Sequence, residues 1–199
     1  MRYPPGHKEE TRRRILSEAS ALFRRQGVEA TGLPEVMKAA GLTVGGFYRH
    51  FDSKSTLFRE AVKASLQRTL GFLRHNPGRG RRWLAGAAAR YLSRDHLANV
   101  AHGCPLATLT PDIARADDAA RKVYGDALRE MVDELEPRMP EDGELSPGER
   151  SRGELSRGEL SQRDRAWAFI ATNVGGLMLA RGVDDPELAE EILAACRRA

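Results

Sequence analysis

Three residues in the middle of the chain could in principle ligate a metal: His96, His102 and Cys104, spaced H-x5-H-x-C. That spacing matches no common zinc pattern, where ligands recur in tight pairs two to five residues apart. The chain also lacks a Gly-rich phosphate loop after a strand, an H-E-x-x-H helix and a G-x-S-x-G elbow. The reading is therefore no metal, no cofactor, no catalytic residue and no enzyme. The chemistry that the residue types do support is contact with a polyanion. Residues 1–75 hold 14 Lys and Arg against 7 Asp and Glu, while the rest of the chain carries 18 against 21. A basic N-terminal third on a mildly acidic remainder suggests that one end meets nucleic acid.

The densest group of hydrogen-bonding side chains in that third lies in "GLTVGGFYRHFDSK", Gly41 to Lys54. It holds Thr43, Tyr48, Arg49, His50 and Lys54 beside two consecutive glycines, Gly45 and Gly46. Each glycine costs a helix about 1 kcal/mol relative to Ala, so a short helix over Val44–Phe51 needs another source of stability. Phe47 and Phe51, four apart, are expected to supply it by packing inward.

The elements that must position this group are helical. Ile15, Leu16, Ala19, Leu22 and Phe23 make one apolar helix face over about Lys8–Gln26, and Gly27 is placed to end it. A short helix over about Leu33–Ala40 carries Pro34 in its first turn and ends at Gly41. Thr43 leads the Val44–Phe51 helix as its N-cap, and Asp52–Ser53 form a turn and a fresh N-cap. A long helix then covers about Lys54–His75. Two short helices separated by "GLT" match a helix-turn-helix, whose second helix offers its first residues to base edges.

Further helices are expected over about Arg82–Leu97, in two pieces divided by Pro105 and Pro111, over about Asp118–Glu136, Asp164–Arg181 and Pro186–Arg198. Asp117 or Asp118 caps the third of these. Strand signals are almost absent. The fold class is all-α: an N-terminal three-helix helix-turn-helix head, residues 1–56, on a larger helical ligand-binding and dimerisation body, residues 57–199, with about nine helices in all. Residues 137–163 interrupt the pattern. They repeat G-E-L-S from Gly143, Gly153 and Gly158 and read as a flexible loop. No apolar run approaches the roughly 20 residues of a membrane span, and "MRYPPGHKEETRRR" has no apolar signal core. A cytoplasmic protein with reduced Cys104 and Cys196 is expected.

The stretch "GVEATGLPEVMKAAGLTVGGFYRHFDSKSTLFREAV", with the preceding "ALFRRQG", resembles the DNA-binding segment of the TetR/AcrR family over about residues 10–62. "HGCPLATL" and "IARADDAAR" resemble regulatory domains of one branch. The resemblance implies a homodimeric, ligand-responsive transcriptional regulator, most directly a repressor released from a palindromic operator by a small-molecule inducer. It implies DNA contacts at Thr43, Val44, Gly45, Gly46, Tyr48, His50 and Lys54. Arg49 stays open between base reader, phosphate clamp and solvated charge. The second helix is often capped by Thr or Ser in the family; here that position is Gly32, and the phosphate contact shifts to Thr31. The body would line its ligand pocket with Leu66, Leu70, Trp83, Tyr91, Cys104, Leu106, Leu109, Tyr124, Leu128, Trp167, Ile170 and Asn173. The last two helices would pair across a two-fold axis through Ala168, Ala171, Thr172, Gly175, Gly176, Leu179, Ile192, Leu193 and Cys196.

Overall fold

The computed structural model describes residues 6–140 and 160–199, and among them it contains nine α-helices, two short 3-10 helices and no strand. The helices are α1 (His7–Ala30), α2 (Leu33–Ala39), α3 (Lys54–His75), α4 (Gly80–Tyr91), α5 (Arg94–Ala98), α6 (Leu106–Arg115), α7 (Asp118–Leu135), α8 (Gln162–Arg181) and α9 (Pro186–Arg198). The 3-10 helices span Val44–Arg49 and Glu136–Arg138. The G-E-L-S repeat, up to Glu159, lies outside the described residues. The chain divides into two compact units: Met1–Thr69 with Asn99–Ala127, and Leu70–Ala98 with Leu128–Ala199.

Local chemistry explains most boundaries. Gly27 sits at φ 81° and breaks α1, so that only one further turn follows it. A residue with a Cβ is strained there. Gly41 stands at φ 68° just past α2, the left-handed position that helix ends favour. Ser53 caps α3 by accepting from Thr56 N at 3.0 Å, and Asp117 caps α7 by accepting from Ala120 N at 2.8 Å.

Three elements differ from the sequence reading. The Val44 element is a 3-10 helix of six residues rather than an α-helix reaching Phe51. Two glycines and a length under two turns leave little to favour the wider coil. The Arg82–Leu97 helix is divided, because Leu92 ends α4 and Ser93 caps α5 through His96 N. Conversely, α6 runs through Pro111 without a break. Interior proline costs a helix about 3 kcal/mol. Here burial of Leu106, Leu109 and Ile113 outweighs that loss, since each fully buried aliphatic side chain contributes about 1.5–3 kcal/mol.

In the first unit the core gathers Ile15, Phe23, Met37, Phe47, Leu57 and Leu66, all fully buried. Phe23 meets Phe58 edge to face with ring centroids 5.5 Å apart. In the second unit Val132, Leu135, Met139 and Ala166 form a cluster, with Leu73, Trp83, Leu84, Phe169 and Ile170 packed against it. There α8 and α9 approach closely at Gly176: a Cβ on this residue would lie 2.6 Å from Cys196 Sγ and 3.0 Å from its Cβ. Gly176 and Leu193 are therefore buried inside their own chain, which corrects their assignment to an intersubunit surface.

Gly176→Ala decides between two opposing terms. Ala gains about 1 kcal/mol of helix propensity, while overpacking of this kind costs about 1–3 kcal/mol. The clash should win: the urea midpoint falls, and adding Cys196→Ala recovers part of the loss because it removes Sγ.

Candidate nucleic-acid interface

The 3-10 helix has one inward and one outward side. Phe47 is fully buried and Phe51 nearly so; their rings stack at 5.8 Å, and the Arg12 guanidinium of α1 lies 4.7 Å over Phe51. Arg12 is in turn ion-paired with Glu60 of α3. Thr43, Val44, Gly45, Tyr48 and Arg49 all face solvent, and Tyr48 is 68% exposed. An exposed Val and an exposed Tyr on a basic element are an apolar and hydrogen-bonding surface that lacks an intrachain partner.

The glycines behave unlike those at breaks and close packings. Neither has positive φ. A Cβ at Gly45 would meet nothing within 4 Å, and one at Gly46 would reach only Met37 Cε, at an ordinary 3.8 Å. Neither the backbone nor the crossing helix α2 therefore demands glycine at these positions. What remains is an approach from outside.

Thr43 occupies the N-cap position with extended geometry, but its side chain makes no cap bond; the exposed hydroxyl is available to a partner. His50 ends the element half-buried, and its Nδ1 has no hydrogen-bond partner. Burial first, then the cationic neighbours Lys8, Arg12, Arg49 and His7, hold its pKa below the ordinary histidine value. Lys54 lies at the first residue of α3, half-buried, with Nζ donating to Glu29 O at 3.3 Å. One of its three donors is used, and two remain for an anion.

Thr31 does not join this surface. It is 0% exposed, and its hydroxyl donates to Gly27 O at 2.7 Å. Its role is to satisfy the carbonyl at the α1 break, which corrects its assignment to phosphate. The second unit corrects other expectations. Trp83 and Ile170 pack on the Val132 cluster. Trp167 instead faces solvent with Ala168, Ala171, Met178 and Leu179, the last 64% exposed. Asn173 is buried; its Nδ2 donates to Phe169 O at 2.8 Å, while Oδ1 has no partner. Among the described residues no group of three or more His, Cys, Asp or Glu is arranged to hold a metal. His96 instead donates through Nδ1 to Tyr91 O at 2.7 Å.

Sequence reasoning missed the supports behind the head. Asp112 of α6 accepts from Val28 N at 3.0 Å, at the break in α1. Asp117 accepts from Ser55 Oγ at 2.6 Å, one residue after Lys54. Nothing in the order of residues links position 112 to 28. The available hint is that both carboxylates stand in a stretch of low apolar content, where a fixed partner has to be long-range.

This arrangement defines a class: a helix-turn-helix protein whose exposed second element sits on a basic unit, within an all-α chain. The family model described as "Bacterial regulatory proteins, tetR family" matches residues 15–61. The HTH-type transcriptional regulator AcrR of Shigella flexneri is 54% identical over 57 residues, 29% of this chain and 26% of that protein. The chain thus matches about a quarter of the length of that relative. The crystal structure of a TetR-family transcriptional regulator from Cytophaga hutchinsonii has the same fold, with TM-score 0.73 and 18% identity over 98% of this chain and 96% of that one. The Bacillus subtilis regulator FadR in complex with stearoyl-CoA also has it, at TM-score 0.60 and 17% identity over 92% and 96%. By its N-terminal sequence and its fold, the chain belongs to the TetR/AcrR family. No helix among the described residues is long and apolar enough to cross a membrane.

Two measurements test the supports. Unfolded histidine titrates near pH 6.5 and folded His50 below it, so between these values the unfolded chain binds more protons. The His50 contribution to stability is present above about pH 6.5 and is lost as pH falls through the folded pKa. His50→Gln should reduce the drop in urea midpoint between pH 7.5 and pH 5.5. Asp112→Ala strips Val28 N of its acceptor and should cost about 1–3 kcal/mol in urea unfolding. Asp112→Asn keeps an oxygen and should cost less.

Proposed function

We propose that this protein is a DNA-binding transcriptional regulator, acting as a repressor that a small-molecule inducer releases from a palindromic operator. The observation that carries the DNA-binding part is the outward face of the 3-10 helix. Thr43, Val44, Gly45, Tyr48 and Arg49 are exposed together while Phe47 and Phe51 are buried. The free space around Gly45 and Gly46 suits close approach of a sugar-phosphate backbone or a base edge.

In this reading residues 1–56 form the head and residues 57–199 the ligand-binding and dimerisation body. Thr43, Tyr48, His50 and Lys54 hold phosphates or groove edges. Glycines offer no side-chain hydrogen bonds, so base contact falls to Thr43, Val44 and Arg49, and shape carries a large share of specificity. Two copies place their 3-10 helices in successive major grooves about 34–36 Å apart. The exposed residues Ala168, Ala171 and Leu179 of α8, with half-buried Thr172, Gly175, Ile192 and Cys196, supply the self-complementary surface that a two-fold dimer needs. For the inducer, the support is the family together with the stearoyl-CoA complex of the similarly folded FadR. Asn173 Oδ1, buried without a partner, would accept a hydrogen bond from it. Inducer and operator would then weaken one another's binding by the same factor.

Selection of bound fragments from random DNA by the full chain tests the whole reading; recovery of a palindrome is the expected result, and no enrichment would refute it. Within the recovered site, Lys54→Ala should weaken all sequences alike and lower the salt slope by about one. Gly45→Ala should separate folding from binding. The folded protein gains up to about 1 kcal/mol, whereas operator affinity falls, because a methyl group then stands in the approach path. Unchanged affinity would show that nothing comes close to Gly45.

A further inference from the structure

Arg24 of α1 is 5% exposed, yet no carboxylate meets it among the described residues. Its Nη1 donates to the carbonyls of Ser20 at 3.1 Å and Ala101 at 2.7 Å, and its Nη2 to Ser65 Oγ at 2.6 Å. Its Nε has no partner. A guanidinium removed from water needs an opposing charge as well as hydrogen bonds. Arg68 makes the need greater: burial first, and then this second cation, bring the Arg24 pKa down to about 10, and the group that works against them is Cys104. Cys104 belongs to the turn that begins at Ala101, the residue whose carbonyl Arg24 grips. It is 7% exposed and in no disulfide. Tyr124, hydrogen-bonded to Thr110 Oγ1 at 2.7 Å, feels the same thiol: burial raises its pKa, and a charge on Cys104 adds to the rise. The exposed neighbours Arg68 and His102 put the site one layer below solvent.

The geometry points to Cys104 as a covalent modification site for soft carbon electrophiles of the activated-alkene or haloacetamide class, with Arg24 as the positioning residue that balances its thiolate. Thiolates beside buried cations are both populated and nucleophilic at neutral pH. With an activated alkene, the sulfur lone pair forms the S–C bond to the β-carbon and the π pair moves to the carbonyl oxygen. The resulting enolate takes a proton from water at its α-carbon. With a haloacetamide, the S–C bond forms as halide leaves. Either way the sulfur ends neutral, and Arg24 loses its counter-charge while still tied to Ala101 and Ser65. The adduct therefore weakens the seam between α1 and the 101–104 turn. The site goes beyond DNA binding and does not depend on it.

The test uses the full chain carrying Cys196→Ser. Thiolate absorbance at 240 nm is followed from pH 5 to 10, with Tyr124 followed separately at 295 nm. Iodoacetamide labelling is read by intact mass. The expected midpoint lies well below the ordinary thiol value of about 8.5. Labelling of the folded protein at pH 6.5 should exceed that of Arg24→Gln by tenfold or more, and Arg24→Lys should restore a low midpoint. The alkylated protein should melt at a lower temperature, and Cys104→Ser should be indifferent to the reagent. A midpoint at 8.5 or above, or no labelling of folded protein, overturns the proposal and leaves Arg24 a structural pin. If Arg24→Gln does not fold, the midpoint of the Arg24-containing protein decides by itself.

Discussion

Phe47 and Phe51 hold in place an element whose backbone has little reason to persist. Six residues in a 3-10 helix, two of them glycine, gain few hydrogen bonds for the conformational entropy they lose. Burying the two rings against the unit core, with Arg12 over Phe51 and Glu60 behind Arg12, replaces that missing local stability by tertiary contact. The remaining residues of the element are then free to face outward. Function and anchoring are divided between alternate sides of one short segment, and neither side could change without cost to the other.

The seating of that segment depends on residues far along the chain. The stretch from Ala101 to Asp117 meets the head elements at three points: Ala101 O receives Arg24, Asp112 receives Val28 N, and Asp117 receives Ser55 Oγ. Each satisfies a donor that a break, a burial or a helix start would leave exposed to an apolar surrounding. The break at Gly27 is the most constrained, since its φ excludes most side chains and its missing Cβ leaves space that Asp112 Oδ1 occupies at 3.4 Å. Such ties make the first unit discontinuous in sequence. A change in the 101–117 stretch is felt by the ends of α1 and the start of α3 without any movement of the Phe47 anchor.

Charge follows the same division of labour. Cations crowd around His50, where an anion from outside would relieve them, and this lowers its pKa. Arg24 is relieved from inside. Like charges at a surface are tolerable because water screens them, whereas the buried Arg24 guanidinium has to find its compensation within the fold.

Sequence alone determined the helical class, the basic head and the core side of most helices, because 3.6-residue periodicity and cap residues are local signals. Phe47 and Phe51 as anchors, Ser53 as a cap and Gly27 as a break were all legible in that way. So was the family, carried by motifs in fixed order over residues 10–62. The tertiary structure decided what depends on partners distant in the chain. It buried Thr31 under its own helix break, turned Gly176 and Leu193 inward at the α8–α9 crossing, and sent Trp167 out to solvent. It carried α6 through Pro111 because Leu106, Leu109 and Ile113 had a core to enter. It also paired residue 24 with residue 101 and residue 28 with residue 112. No local pattern encodes those pairings, since they arise only when two separate segments each bring an unsatisfied group to the same place.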